Sequence, residues 1–499
     1  MSAQTEKSQP VDCGGVDERL PLGSLATLGI QHVMVMYAGA VAVPLIIGAA
    51  LGLTKEQIAL LINADLLCCG LITIIQARGV GVFGIKLPVM MGVSFAAVSP
   101  MIAIGLDPSL GLTGIFGATI LAGIFSILIA PIFSRMMGLF PPVVTGIIIT
   151  VIGITLMRVG LEWVGGGKPQ ILDQVTGQMI ANPEYGSMQN LGTALIVLLI
   201  ILGITKFAKG FLSNVAVLIG LLAGFFIALA QGRINFDGLG DASWVAIVKP
   251  FAFGVPTLSW SLLGAAAILS LIMVVIMVES LGMFLALGSI CGRPPSREDL
   301  VRGLSTDGLG TLIGGVMNTF PHSSFSQNVG LVSVTGVRSR WVCVMGGVFL
   351  IALGLFPKMA FIVASIPNYV LGGAGIVMFG MVASTGIKIL MSADLNSNRY
   401  NPYIVAISLG MGMIPLVAEH LLDKMPSVLA PLLHSGILLA AVSAISLNLF
   451  FNGINRLERR KEENSAPAAI AAPTTEVGQA GPRLVTQEPS STQQLASQH

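Results

Sequence analysis

Apolar runs, each broken by a short polar or glycine- and proline-rich interval, alternate along almost the whole chain. A helix needs about 20 apolar residues to cross a bilayer, and marking the runs and their breaks predicts about fourteen membrane segments. The first seven fall at 24–52, 56–77, 85–106, 111–134, 141–163, 190–208 and 213–232. A polar interlude from Arg233 to Ser259 separates them from the second seven, at 262–289, 299–319, 322–336, 340–357, 361–390, 401–418 and 428–452. The N-terminus, residues 1–22, is polar, with Asp17, Glu18 and Arg19 ahead of the first run. That is not the pattern of a cleavable signal peptide, so the first helix itself is expected to direct insertion. The tail at 456–499, rich in Ala, Pro, Gln, Ser and Thr, reads as disordered.

The third and tenth segments break the pattern. Both are short, carry β-branched or aromatic alternation, and are interrupted: Pro88 and Pro100 bound one, Pro321 and Gly330 the other. Short β-strands are predicted in both. Non-helical backbone at membrane depth is tolerable only against protein or a polar cavity, and paired interrupted segments in two halves point to a binding site near the midplane. An internal echo supports two halves. Phe140-Pro141-Pro142-Val143-Val144-Thr145-Gly146 and Ile366-Pro367-Asn368-Tyr369-Val370-Leu371-Gly372 share P-x-x-V-x-G. Ser94-Phe95 and Ser324-Phe325 fall in the third segment of each half. Seven segments repeated after seven have opposite topology, which is the inverted repeat of many secondary transporters. Arg78, Arg135, Lys206, Lys209, Arg293, Arg297, Arg338, Arg340, Lys388, Arg399 and the Arg456–Lys461 cluster fall on one side of this count. The positive-inside rule then puts both termini in the cytoplasm.

Composition fits this reading: 54% of residues are hydrophobic and 10% charged, the balance of a polytopic all-α membrane protein. A net charge of +2 without a basic, aromatic-interleaved patch gives no sign of nucleic-acid binding. The five cysteines show no metal spacing, and the adjacent Cys68 and Cys69 read as small packing residues. Gly79-Val80-Gly81-Val82-Phe83-Gly84 matches G-x-G-x-x-G but lacks the strand–turn–helix context of a nucleotide site. Gly308, Gly310, Gly314 and Gly315 read as close-packing residues of the ninth helix, and Arg158 with Glu162 as an interfacial i, i+4 pair. No nucleophile–base or metal constellation supports an enzyme, and no cofactor or metal is expected.

The chemistry-bearing residues are few. Glu279 sits inside a long apolar run, where a charge costs about 2.5–3.5 kcal/mol on insertion scales; it is suited to ligate substrate N–H groups or to carry a proton, and a structural ion pair is the competing role. Asp307 is expected near the entrance of the ninth span, either capping a helix or coupling protons. His32, beside Gln31 in the first span, is placed to bond Glu279 and orient it. Gln327 and Asn328 lie in the polar run 323–335; the Gln327 amide can donate and accept against a ring edge that pairs N–H with C=O, while Asn328 is expected to lock the loop. Asp65 divides evenly between a functional and a bundle-facing structural acid.

These residues resemble the nucleobase–ascorbate transporter family, also called nucleobase:cation symporter-2. Its signature Q/E-N-x-G-x-x-x-x-T stands as Gln327-Asn328-Val329-Gly330 and Thr335, its Q-H pair as Gln31-His32, and its acids as Glu279 and Asp307. The resemblance covers about residues 20–455. It implies a core domain (segments 1–4 and 8–11, residues 23–134 and 262–358) and a gate domain (segments 5–7 and 12–14, residues 140–232 and 360–453), joined by a loop at 233–261. It also implies homodimers and elevator-type proton symport in a bacterial inner membrane, with the proton as coupling ion. Substrate-binding roles then fall to Glu279, Gln327, Phe95, Ser94 and Ser326; coupling or supporting roles fall to His32, Asp307, Asn328, Gln31 and Met283. Within the family, the stretches 94–105, 208–218 and 278–288 are most similar to uric acid and xanthine permeases. Xanthine permeases place Asn where Ser94 stands and Asp where Met283 stands, so these positions favour uric acid, with xanthine as second candidate. The uric acid permeases themselves carry Thr at the Ser94 position. A uracil carrier and an anion transporter of the same fold are the alternatives.

Overall fold

The computed structural model describes residues 15–135, 139–172, 179–393, 395, 398–418, 421–422, 424–425, 433 and 435–453. The tail at 456–499, most of the N-terminus and the beginning of the fourteenth segment lie outside the described residues. Helix α1 spans Leu22–Leu51 and ends where Gly52 takes a left-handed φ of 66°. Helix α2, Lys55–Arg78, starts in a capping box made by Thr54 and Gln57. Then follow strand β1 (Met91–Val93), a 3₁₀ turn (Phe95–Ala97), α3 (Val98–Leu106), α4 (Gly111–Phe133) and α5 (Pro142–Val164). The hairpin β2–β3 (Gln170–Leu172 and Met179–Ala181) leads to α6 (Met188–Phe207), α7 (Phe211–Asn214) and α8 (Ala216–Ala230). After the polar interlude come α9 (Trp260–Ile290), α10 (Arg297–Val316), β4 (His322–Ser324) and α11 (Ser326–Thr335). The chain continues with α12 (Arg340–Gly354), α13 (Pro357–Ala364), α14 (Asn368–Met391), α15 (Asn401–Val417) and α16 (Gly436–Asn452).

Among the described residues, seven helices are long and apolar enough to cross a membrane by themselves, and α12 with α13 would make an eighth, bent by 82°. The expected segment 361–390 is corrected. Residues 357–364 belong to the separate helix α13, and α14 begins only at Asn368 with Pro367 as its N-cap. Pro367 lacks the N–H that a continuous helix would need there, so one straight span is ruled out. The expected strands in segments 3 and 10 are present as β1 and β4, which pair antiparallel with each other: Met91 opposite Ser324, Gly92 opposite Ser323, Val93 opposite His322. Ser94 N–H donating to Pro321 O at 2.8 Å and Phe325 N–H donating to Met90 O at 2.9 Å extend the ladder. Each strand feeds a short helix, α3 of nine residues and α11 of ten. At 1.5 Å per residue each is about half the ~30 Å hydrocarbon thickness.

A two-stranded ribbon inside a membrane protein has two bare edges, and both are covered. On the β1 edge, Met91 N–H donates to Thr73 Oγ1 at 2.9 Å, and Val93 N–H lies against the Cys69 sulfur, both on α2. On the β4 edge, His322 N–H donates to Thr311 Oγ1 of α10 at 3.1 Å, and Ser324 N–H to Ser280 Oγ of α9 at 3.2 Å. Outward amides with no water to bond are satisfied by helix side chains.

Close helix packing uses glycine. Gly146, Gly153 and Gly160 of α5 face Gly386, Ala383 and Phe379 of the antiparallel α14, and a Cβ on Gly153 would lie 2.2 Å from the Ala383 nitrogen. Helix α10, the expected ninth segment, packs as its glycines suggest: a Cβ on Gly315 would lie 2.7 Å from Phe116 O of α4. Arg158 and Glu162 form the expected i, i+4 pair at 3.1 Å. At the ribbon, the buried Phe325 ring fits only because Gly92 and Gly39 lack side chains, since added Cβ atoms would stand 2.4 Å and 2.7 Å from it. Gly92→Ala and Gly39→Ala should therefore each destabilise the protein by about 1–3 kcal/mol through overpacking. The check is thermal unfolding in detergent, where unchanged midpoints for both variants would contradict this account of Phe325.

Candidate functional site

The ribbon brings the starts of the 3₁₀ turn and of α11 to one place, and α9 packs against both. Ser280, bonded to Ser324 N–H, sets its neighbour Glu279 beside the beginning of α11. Four of the five residues expected to touch substrate are half-buried here: Phe95, Glu279, Ser326 and Gln327. Ser94 differs. It is buried and its hydroxyl accepts from Ala96 N–H at 3.3 Å, so it caps the 3₁₀ turn. Phe95 meets Phe379 of α14 edge to face at 5.8 Å, so one edge of its ring is fixed from across the helix bundle.

Glu279 has no hydrogen bond or ion pair among the described residues, so the expected competing role of a structural ion pair is not what the geometry offers. Ser326 Oγ donates to Gln327 Oε1 at 3.3 Å, which turns that amide's carbonyl inward on its own helix. The Gln327 Nε2 group has no partner among the described residues. A carboxylate and an amide donor without partners among the described residues thus belong to α9 and to the first turn of α11, two helices that pack together.

The supporting residues are mostly buried: His32, Asn328, Asp307 and Met283, with Gln31 half-buried. The expected His32–Glu279 bond is not formed. Asn328 Nδ2 instead lies 3.0 Å from His32 Nδ1 and donates to the His32 carbonyl at 2.9 Å. A carbonyl can only accept, so the amide orientation is fixed, and His32 Nδ1 must also accept. The ring proton of a neutral His32 therefore sits on Nε2. The pair ties α1 to α11, a reach of 296 residues in sequence. Asp307 is likewise not at a helix entrance. It lies in the middle of α10, whose entrance is held by the Ser296–Asp299 capping box, and the hydrophobic pattern alone set that boundary too late. Asp307 Oδ1 accepts from Gln76 Nε2 at 3.3 Å, and Oδ2 has no partner among the described residues.

Gln76 was not legible as a site residue. It also donates to Gly303 O at 3.0 Å and accepts from Ile85 N–H at 3.0 Å, joining α2, α10 and the approach to β1. A polar amide in the last turns of an apolar helix was the available signal. Thr73, Ser280 and Thr311 carried none, since a hydroxyl inside a helix ordinarily bonds its own backbone. Asp65 is buried and accepts from Thr319 Oγ1 at 2.9 Å.

Residues 23–420 match the model of the Permease family. The uric acid transporter UacT of Escherichia coli K12 is 55% identical over 455 residues, 91% of this chain and 91% of that protein. The uric acid permease PucJ of Bacillus subtilis is 42% identical over 441 residues, 88% of this chain and 95% of that one. The xanthine permease of the same organism is 42% identical over 443 residues, 88% and 97% of the two chains. Among solved structures, the transmembrane domain of the cyanobacterium bicarbonate transporter BicA is similar with a TM-score of 0.50 at 17% identity, covering 85% of this chain and 97% of that one. SLC26A9 is similar with a TM-score of 0.59 at 12% identity, covering 86% and 66%. Likeness at such identity concerns the fold alone. A family match over most of the chain, with relatives at 55% and 42% identity, makes this an integral membrane permease rather than an enzyme, and the chain belongs to the nucleobase–ascorbate transporter family.

Proposed function

We propose that the protein is a proton-coupled purine nucleobase permease that imports uric acid, with xanthine as second candidate. The observation that carries this reading is a Glu279 carboxylate and a Gln327 Nε2 without partners among the described residues, on the packed helices α9 and α11. A planar purine that presents N–H beside C=O meets both at once, and Phe95 offers the ring a packing face. The names of the uric acid and xanthine relatives support the substrate class. Uric acid over xanthine rests on Ser94 and Met283: one hydroxyl is occupied by its own turn, and the other position holds a thioether where an acid would add charge. An inorganic-anion carrier is the weaker reading, because a carboxylate at the centre repels anions.

The reading includes a 7+7 inverted repeat, with a core domain of residues 23–134 and 262–358 and a gate domain of 140–232 and 360–453. Its support is the matched Pro N-caps, Pro141 of α5 and Pro367 of α14, and the crossing of β1 with β4. An elevator motion would carry the ribbon and Glu279 past α14, where Phe95 now meets Phe379. Asp307 lies within electrostatic reach of Glu279. Two carboxyl groups cannot both be charged cheaply in a low-dielectric core, so a proton entering with substrate has a place to reside. We further propose a homodimer in a bacterial inner membrane, both termini cytoplasmic, with the proton as the coupling ion.

Glu279→Gln should lower uptake of labelled uric acid at sub-saturating concentration by about 10- to 100-fold, the value of a hydrogen bond to a charged group. A protonophore should abolish wild-type uptake, and xanthine should compete better than uracil. Normal protonophore-sensitive uptake by Glu279→Gln in membranes that contain the variant would sink the scheme. Asn328→Asp exchanges the double donor for an acceptor that faces His32 O. It should cost about 1–3 kcal/mol, measured as a lower unfolding midpoint, with uptake falling in parallel.

A further inference from the structure

A second polar cluster, which the proposed transport site does not use, lies behind the ribbon. Asp65 and Cys69 stand four residues apart on one face of α2, and His322 is the first residue of β4; all three are fully buried. Cys69 Sγ is 3.6 Å from Asp65 Oδ2 and 3.7 Å from His322 Nε2, and the three potential ligand atoms all lie within 4.8 Å of one another. With Zn–S near 2.3 Å and Zn–N near 2.0–2.1 Å, neighbouring ligand atoms of a tetrahedral zinc stand about 3.6 Å apart. The two pairs that include Cys69 already have that spacing.

We infer that Asp65, Cys69 and His322 form a buried site for one divalent transition metal of borderline softness, with zinc the best fit. The surroundings orient two of the three ligands as a metal needs them. Phe320 O lies 2.8 Å from His322 Nδ1; a carbonyl only accepts, so Nδ1 carries the proton and the Nε2 lone pair turns toward Cys69. Thr319 Oγ1 donates to Asp65 Oδ1 at 2.9 Å, which leaves Oδ2 facing the sulfur. Such outer partners orient ligands and raise their affinity. Charge agrees as well: one thiolate and one carboxylate neutralise a divalent ion, so the filled site buries no net charge. Water supplies the fourth ligand, as in zinc sites with three protein ligands. Bound metal would pin β4, and through it the start of α11, to α2. The cysteine spacing in sequence hid the site because two of its three ligands are not cysteines and one of these, His322, arrives from β4.

The test is the metal content of the full-length protein, purified in detergent from zinc-replete cells and passed over a weak chelating resin. Wild type should retain about one zinc ion per chain. Cys69→Ser and His322→Ala should lose it, while Cys68→Ser, at the adjacent buried thiol outside the cluster, should keep it. Cobalt(II) added after removal of zinc by a strong chelator should give a near-ultraviolet thiolate-to-metal charge-transfer band in wild type and none in Cys69→Ser. Wild-type protein with far less than one zinc per chain and no such cobalt band would overturn the proposal. So would zinc retained by Cys69→Ser. Because the first of these results needs no variant, a poorly folding mutant leaves the test intact.

Discussion

Two three-residue strands, deep in a chain built of helices, carry the constraint on which the rest depends. Breaking a helix in a membrane exposes backbone N–H and C=O groups that lipid cannot satisfy. Here two breaks satisfy each other through the β1–β4 ladder. The remaining outward amides go to Thr73, Cys69, Thr311 and Ser280. Three long helices must therefore stand where those side chains can reach, so the ribbon dictates the places of α2, α9 and α10. The site is a by-product of that arrangement. Ser280 is both the hydroxyl that closes one edge and the neighbour that aims Glu279, and α11 begins two residues after the strand residue that Ser280 holds.

A ribbon of this kind also gives the site its stiffness. Helix starts on loops would leave Gln327 and Phe95 free to wander, and a grip on a planar solute needs donors and acceptors held in place before the solute arrives. The Asn328 amide adds a second tie by spending both its hydrogens on His32. Gln76 adds a third, joining α2 to α10 next to Asp307. Motion of the binding residues relative to one another is thereby discouraged. The assembly meets α14 where Phe379 touches Phe95 edge to face.

Much of this was legible in the sequence for a physical reason. Interrupted apolar runs bounded by Pro and Gly report backbone that cannot continue as helix, so segments 3 and 10 announced themselves. Pro141 and Pro367 do open matching helices, because proline, with no N–H to donate, is well suited to a helix start. The rule that revealed the echo also broke the expected segment 361–390. What stayed hidden depends on contacts distant in sequence. His32 was assigned the wrong partner because spans fix depth and not rotation about the helix axis, and a His one turn off its neighbour's face meets α11 instead of α9. Asp307 was misplaced because its helix begins in a polar capping box that a hydropathy count passes over. Hydroxyls at the ribbon's edges were invisible, since nothing local distinguishes a threonine that receives a strand amide from one that bonds its own turn.

The repeated Ser-Phe dipeptide finally separates symmetry of fold from symmetry of function. Ser94-Phe95 follows β1 and Ser324-Phe325 closes β4, yet their rings have opposite fates. Phe325 drops onto Gly39 and Gly92, two positions where a single Cβ would collide with it, and is sealed in the core. Phe95 has no such glycine floor and stays half-exposed, reaching toward α14. The serines diverge too: Ser94 caps its turn, whereas Ser324 lends its amide to α9. Two glycines therefore suffice to make one half of a symmetric crossing structural and leave the other available to a ligand. Glu279 and Gln327 both come from the second half of the chain, so the site joins one half's carboxylate and amide to the other half's aromatic ring.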